Sequence, residues 1–200
     1  MELLPIENES DLYDIPDWLW PKWKASLGIN ANQVADTLKE RANIFLRVNI
    51  IKGTRKDAIQ ALEKDGIISK FHPTVSTALI VSKGTRKIKN SQAYNIGLVE
   101  LQDASSQASV LKINMDQNGP VLDFCAGGGG KSLALSAYLN KPIFAYDANF
   151  ERMKDLPNRA SRSGADIRVI KSNDLKKSYY GLVFCDVPCS GSGSWRRDPE

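Results

Sequence analysis

Histidine is nearly missing from this 200-residue chain: His72 stands alone. Cysteine is scarce too, with Cys125, Cys185 and Cys189 and no Cys-x-x-Cys pair. That excludes the common zinc spacings, and an odd count without framework spacing argues for a reducing, cytoplasmic setting. No apolar run approaches the roughly 18 residues needed to span a bilayer. The first twenty residues carry six acids and no bases, the wrong sign for a secretory leader. Repeats and low-complexity tracts are absent.

What is there is a charge contrast. Net charge is only +4. Residues 41–90, however, hold eleven Lys and Arg against three acids. A local excess of that size suits a polyanion such as nucleic acid. Around it the chain reads as a small α/β unit. Pro16 and Pro21 interrupt a helical stretch over 10–29, where Trp18, Trp20 and Trp23 form an aromatic plug. A short helix follows over 32–42 and a strand over 44–50. Thr54-x-x-Asp57 predicts a capping box, with its helix ending near Gly66. Short strands are expected at 67–68 and 78–81, and His72 reads as a surface or packing residue. Residues 1–95 are therefore expected to form a helical and small α/β domain. A second domain over 97–200 would open with a strand at 98–103 and a helix at 104–113, capped by Ser105 and Ser106.

From residue 120 the pattern alternates: strand 120–125, helix 131–139, strand 142–146, helix 149–163, strand 166–170, strand 181–185. This predicts a doubly wound α/β sheet. Ligands in such sheets bind beyond the carboxyl ends of the strands, near the switch in strand order. Cys125, Asp147, Asp174 and Asp186 all fall at such ends. Between the first strand and its helix lies Ala126-Gly127-Gly128-Gly129-Gly130-Lys131. Its glycines let backbone approach a ligand, and the helix start favours an anion. Asp147, twenty residues past Gly127, suits a ribose diol. Gly130-Lys131-Ser132 has the tail of a P-loop but lacks its first glycine. The dinucleotide spacing also fails at its third glycine. A looser loop remains, compatible with S-adenosylmethionine. A nucleotide-dependent oxidoreductase and a glycine turn without ligand stay open. Lys131 either touches a cofactor carboxylate or is solvated. Asp123 reads as a structural acid, and Cys125 and Cys185 as small buried hydrophobes.

The final stretch is Cys185-Asp186-Val187-Pro188-Cys189-Ser190-Gly191, followed by Arg196-Arg197-x-Pro199-Glu200. It resembles motif IV of the RNA (cytosine-5) methyltransferases of the ribosomal RNA methyltransferase B / Nop2 / Sun family. Cys125 to Lys131 resembles the motif I of that family, with Gly127-Gly128 where many members have Ala-Pro. Gln102 to Gln107 and Arg47-Val48-Asn49 resemble its other blocks. The resemblance implies a Rossmann-like class I methyltransferase sheet and S-adenosylmethionine as cofactor. The partner implied is RNA, rRNA first and tRNA second, with no membrane and no metal. It places Cys125, Ala126, Gly127, Gly128, Gly129, Gly130, Lys131, Asp147, Asp174 and Asp186 at the cofactor. Cys189 and Asp186 would be catalytic, with Cys189 assisting product release. Arg196 and Arg197 would lower a cysteine's pKa if they fold back toward it. The nucleophile of the family lies in a later Thr-Cys block, so the chain is expected to be part of a longer enzyme or a non-catalytic RNA-binding relative. A sheet stopped at 181–185 would leave an apolar edge and favour self-association.

Overall fold

A computed structural model describes residues 8–116, 118–189 and 191. Contacts divide the chain into two units, one of residues 1–42 with 189–200 and the other of residues 43–188.

The first unit holds α1 (Glu9–Leu12), α2 (Trp20–Leu27) and α3 (Ala31–Lys39). Pro21 sits in the first turn of α2, where its missing N–H costs nothing. Ile15, Trp20, Ala31 and Ala35 form its small core, with the Tyr13 ring stacked on Trp20 at 4.9 Å. The aromatic plug is thus built on Trp20. Trp18 is 66% exposed, with Lys22 over its ring.

The larger unit opens with β1 (Ile44–Val48), α4 (Arg55–Lys64), β2 (Ile68–Phe71), β3 (Ala78–Lys83), α5 (Gln92–Asn95) and β4 (Val99–Leu101). The strands form an antiparallel sheet in the order β2-β3-β1-β4. The capping box is present: the Asp57 N–H donates to Thr54 Oγ1 and the Thr54 N–H to Asp57 Oδ2. Helix α4 buries Ala58 and Leu62 against Leu46, Val48, Leu79 and Val81 on one face of this sheet. His72 organises its turn, Nδ1 accepting from the Thr74 and Val75 N–H groups. The strand expected to open the second domain is β4, and it pairs instead with β1. Its alternation carried no information about which sheet it joins.

There follow α6 (Ala104–Leu111), β5 (Val121–Asp123), α7 (Gly130–Leu139), β6 (Ile143–Ala145), α8 (Leu156–Ser163), β7 (Ile167–Val169) and β8 (Leu182–Phe184). Asp103 caps α6 by accepting the Ser105 N–H, so Ser105 lies inside the helix rather than at its cap. The long helix expected over 149–163 is broken. A 3-10 turn covers Phe150–Met153, and Pro157 restarts the helix in the first turn of α8.

The four later strands are parallel, in the order β7-β6-β5-β8. The order reverses at β5, which has β6 on one side and β8 on the other. Helices α7 and α8 pack Leu135, Leu139, Leu133, Leu156 and Ala160 onto Val121, Ile143 and Ala145. Each fully buried Leu or Ile there contributes roughly 1.5–3 kcal/mol. Phe144, Arg168 and Val183 alternate onto the other face, where Tyr179 and Tyr180 meet the Phe144 ring edge-on. Among the described residues β7 and β8 are the edges of this sheet.

Candidate functional site

The glycine segment leaves β5 at the switch in strand order. Its first residue stays in the sheet, since the Phe124 N–H donates to the Phe184 carbonyl at 2.8 Å. Ala126 donates to the Tyr146 carbonyl and Gly129 to the Ala126 carbonyl. Gly129 adopts φ +80°, and a Cβ there would lie 2.1 Å from Leu156 Cδ1, so only glycine fits. Helix α7 begins at the next residue, and its first N–H groups have no intrahelical acceptor.

Asp147 lies just past β6 and holds this loop. Its Oδ2 accepts the Gly127 N–H at 2.8 Å, its Oδ1 accepts the Asn149 N–H at 2.9 Å, and Arg152 pairs with it at 3.3 Å. The side chain is buried, yet each carboxylate oxygen has two lone pairs, so acceptor capacity for a hydroxyl remains. Beside it an open cleft of about 370 Å³ is lined by Tyr146, Asp147, Ala148, Phe150, Lys171 and Ser172. These residues follow the carboxyl ends of β6 and β7. Asp174 caps its own short turn by accepting the Lys171 N–H and does not line the cleft. Asp166 sits before β7, at the opposite end of the strand, paired with Arg168.

Across the loop, Lys131 is mostly buried and held by two side chains. Its Nζ donates to Asp186 Oδ2 at 2.6 Å and to Ser106 Oγ at 3.3 Å. Asp123 is fully buried and accepts from Ser132 Oγ at 2.7 Å, while its Oδ1 has no partner. Burial, reinforced by the Asp186 charge, pushes the Asp123 carboxyl up to about 6. The Cys125 thiol is also raised, by burial first and then by Cys185, Asp147, Asp123 and Asp186. It is half-buried and remains a thiol at neutral pH. Cys185 departs from expectation: it is exposed, because it follows an edge strand that no described element covers. Cys189 is exposed and belongs to the other unit. Trp195, Arg196 and Arg197 lie outside the described residues.

One group of functional candidates escaped the sequence reading. Arg47 is buried on β1, and its Nη1 donates to Gln102 Oε1 at 2.7 Å and to the Gly130 carbonyl at 2.6 Å. Glu100, its cross-strand partner on β4, pairs with Arg162 at 2.6 Å and Arg159 at 3.4 Å. Arg159 donates to the Gly128 carbonyl. Asn49 donates to the Ser163 carbonyl at 2.8 Å and Lys52 to the Arg162 carbonyl at 2.7 Å, filling acceptors at the end of α8. The available signal was Arg47 itself, a long cation in an alternating strand row that holds Phe45 and Asn49.

The arrangement fits a nucleoside-containing ligand. It offers a glycine cradle at a helix start, and an acid and a cleft at the next strand end. Among the described residues no group of His, Cys, Asp and Glu could hold a metal ion. No described helix is long and apolar enough to cross a membrane.

Two family models match the chain: the RsmF/B-like ferredoxin-like domain of methyltransferases over residues 15–87, and 16S rRNA methyltransferase RsmB/F over residues 108–200. A ribosomal RNA small subunit methyltransferase B from Serratia proteamaculans is 26% identical over 201 residues, covering 96% of this chain and 46% of its own. A human 28S rRNA (cytosine(4447)-C(5))-methyltransferase is 30% identical over 164 residues, covering 78% of this chain and 20% of its own. The crystal structure of PH0851 superposes with a TM-score of 0.88 at 27% identity, over 100% of this chain and 48% of that one. The chain thus spans about half the length of the first of these relatives and a fifth of the second. With both family models placed in sequence along it, and the fold shared, this chain belongs to the RsmB/F family of methyltransferases.

Proposed function

We propose that the protein methylates C5 of cytosine in RNA, using S-adenosylmethionine as donor. The target is rRNA in the first place and tRNA in the second. Residues 1–95 would grip the RNA and residues 97–200 would carry the donor site. The observation that supports the donor best is geometric: the 126–131 loop leaves β5 at the switch in strand order, tied to Asp147 at 2.8 Å, with the open cleft at the end of β6 beside it. The donor, when bound, supplies an electrophilic methyl group.

This chain's residues do the rest of the work assigned to them. The 126–131 loop and the start of α7 would receive the donor's carboxylate. Asp147 has acceptor capacity for a ribose hydroxyl, and the Phe150 cleft has room for a base. Lys131 holds Asp186 at the switch point, where its carboxylate is half exposed and would meet the substrate ring. Cytosine C5 becomes nucleophilic once a cysteine thiolate adds to C6. C5 would then bond to the methyl group as the bond between that methyl and the donor sulfur breaks, leaving the neutral thioether. A base then takes the C5 proton and the thiolate leaves C6. Cys189, three residues past Asp186, lies within about 11 Å of it by chain length alone. It is assigned to that release step.

The test is incubation of the intact protein with labelled donor and total RNA, followed by nucleoside analysis. Label in 5-methylcytosine is expected. Label on adenine or on protein would overturn the chemistry.

A further inference from the structure

We propose that Arg159, carried by Glu100, is a positioning residue of the donor loop, and that Arg47 is its companion on the other side of that loop. This rests on the methyl-donor reading above. Gly127 and Gly128 stand where the resembling motif has Ala-Pro, so the segment has the most mobile backbone two residues can provide. Something outside it must fix its carbonyls. Arg159 donates to the Gly128 carbonyl and Arg47 to the Gly130 carbonyl. With these two carbonyls anchored, the peptide planes that follow Gly128 and Gly130 are held in one orientation.

Both arginines are themselves fixed from the antiparallel sheet. Arg47 is a β1 residue with Glu100 as its Cα partner on β4. Glu100 is buried, with one oxygen on Arg159 and the other on Arg162. The arginine ends also crowd the glycines. A Cβ at Gly128 would lie 3.3 Å from Arg159 Nη1, and one at Gly127 3.1 Å from Arg152 Nη2, so each guanidinium would have to give by a few tenths of an ångström. The antiparallel sheet therefore sets the shape of the loop that the parallel sheet presents.

Arg162 is the internal control. It makes an ion pair to the same Glu100 and lies over the Tyr94 ring at 4.0 Å, but no contact with the loop is among those it makes. In the intact protein, Arg159→Gln should weaken S-adenosylhomocysteine binding by about tenfold or more, the usual effect of losing a charge-assisted hydrogen bond. It should raise KM for the donor with kcat little changed, and speed amide exchange at 127–131. Arg162→Gln should lower the melting temperature at least as far and leave binding within about twofold. Equal losses of affinity in the two variants, or unchanged exchange at 127–131 in Arg159→Gln, would overturn the positioning role alone. A wild-type protein that binds no S-adenosylhomocysteine would instead overturn the donor reading and this inference with it.

Discussion

Asp123 shows how one side chain can tie fold stability to the site. It is buried at the end of β5 with an acceptor oxygen unpaired, and its carboxyl is raised from 3.8 to about 6. The folded state therefore holds a proton that the unfolded chain has already released between about pH 4 and 6. Its contribution is complete below pH 4 and is lost as pH rises through 6. A shift of that size corresponds to about 3 kcal/mol. Asp123→Asn cannot titrate, and an amide oxygen can still accept from Ser132. The stability of the variant relative to wild type should thus grow by up to about 3 kcal/mol from pH 4 to 6.5. Urea unfolding at several pH values measures it, and a difference that stays flat would mean Asp123 is not titrating there. Glycine at 129 is decided by the same packing. Gly129→Ala puts a methyl group into Leu156 and an L-residue at φ +80°. Strain and overpacking together should cost roughly 2–4 kcal/mol and abolish donor binding. A melting curve and a binding isotherm read these separately.

At the scale of elements, much was legible because local chemistry decided it. The Thr54–Asp57 box is a signal four residues long, and α4 starts where it says. Thr54→Ala should therefore lower stability by about 1 kcal/mol, measured by denaturant midpoint at unchanged slope. The strands at 121–123, 143–145 and 182–184 were visible as apolar runs, although only 121–123 is buried throughout and Val183 of the edge strand is exposed. What could not be read was decided by distant partners. The three-residue strand β4 looks alike whichever sheet it joins, and only its pairing of Glu100 with Arg47 places it. Helix 149–163 was read through Pro157, yet the chain needs a 3-10 turn there, which seats Met153 and Leu156 under the glycine loop. The candidate site divides the same way. Glycines and acids at strand ends follow from topology, so the positions of Gly127, Asp147 and Asp186 beyond β5, β6 and β8 were legible. Lys131 pairing with Asp186, and Arg159 reaching Gly128, depend on elements 55 and 31 residues away in sequence. No local pattern encodes those contacts.

Over the whole molecule, the basic excess of residues 41–90 resolves into two populations with different work. Arg47 is buried and bonded to backbone and Gln102, and Lys52 is spent on the carbonyls of Ile96 and Arg162. Arg47 is therefore not available to a polyanion, whereas Lys52 is exposed. Lys64 ends α4, Lys83 ends β3 opposite Ile68, and Arg86, Lys87 and Lys89 occupy the 3-10 turn that follows. Topology gathers these five exposed residues at one end of the antiparallel sheet, and Lys87 reaches the Asp65 carbonyl from that turn. If RNA is gripped here, binding must release counterions in proportion to the phosphates these cations meet. For a single strand, log affinity then falls against log salt with a slope of about 0.7 per contact. Replacing Lys64, Lys83 and Lys89 together with Ala should reduce that slope by about 2 while leaving the melting temperature nearly unchanged, since all three are exposed. Arg47→Met should do the reverse, lowering stability and leaving the slope where it was. Filter binding of a cytosine-containing single-stranded RNA from 50 to 300 mM salt distinguishes the two. A triple variant with an unaltered slope would move the RNA grip away from this end of the sheet.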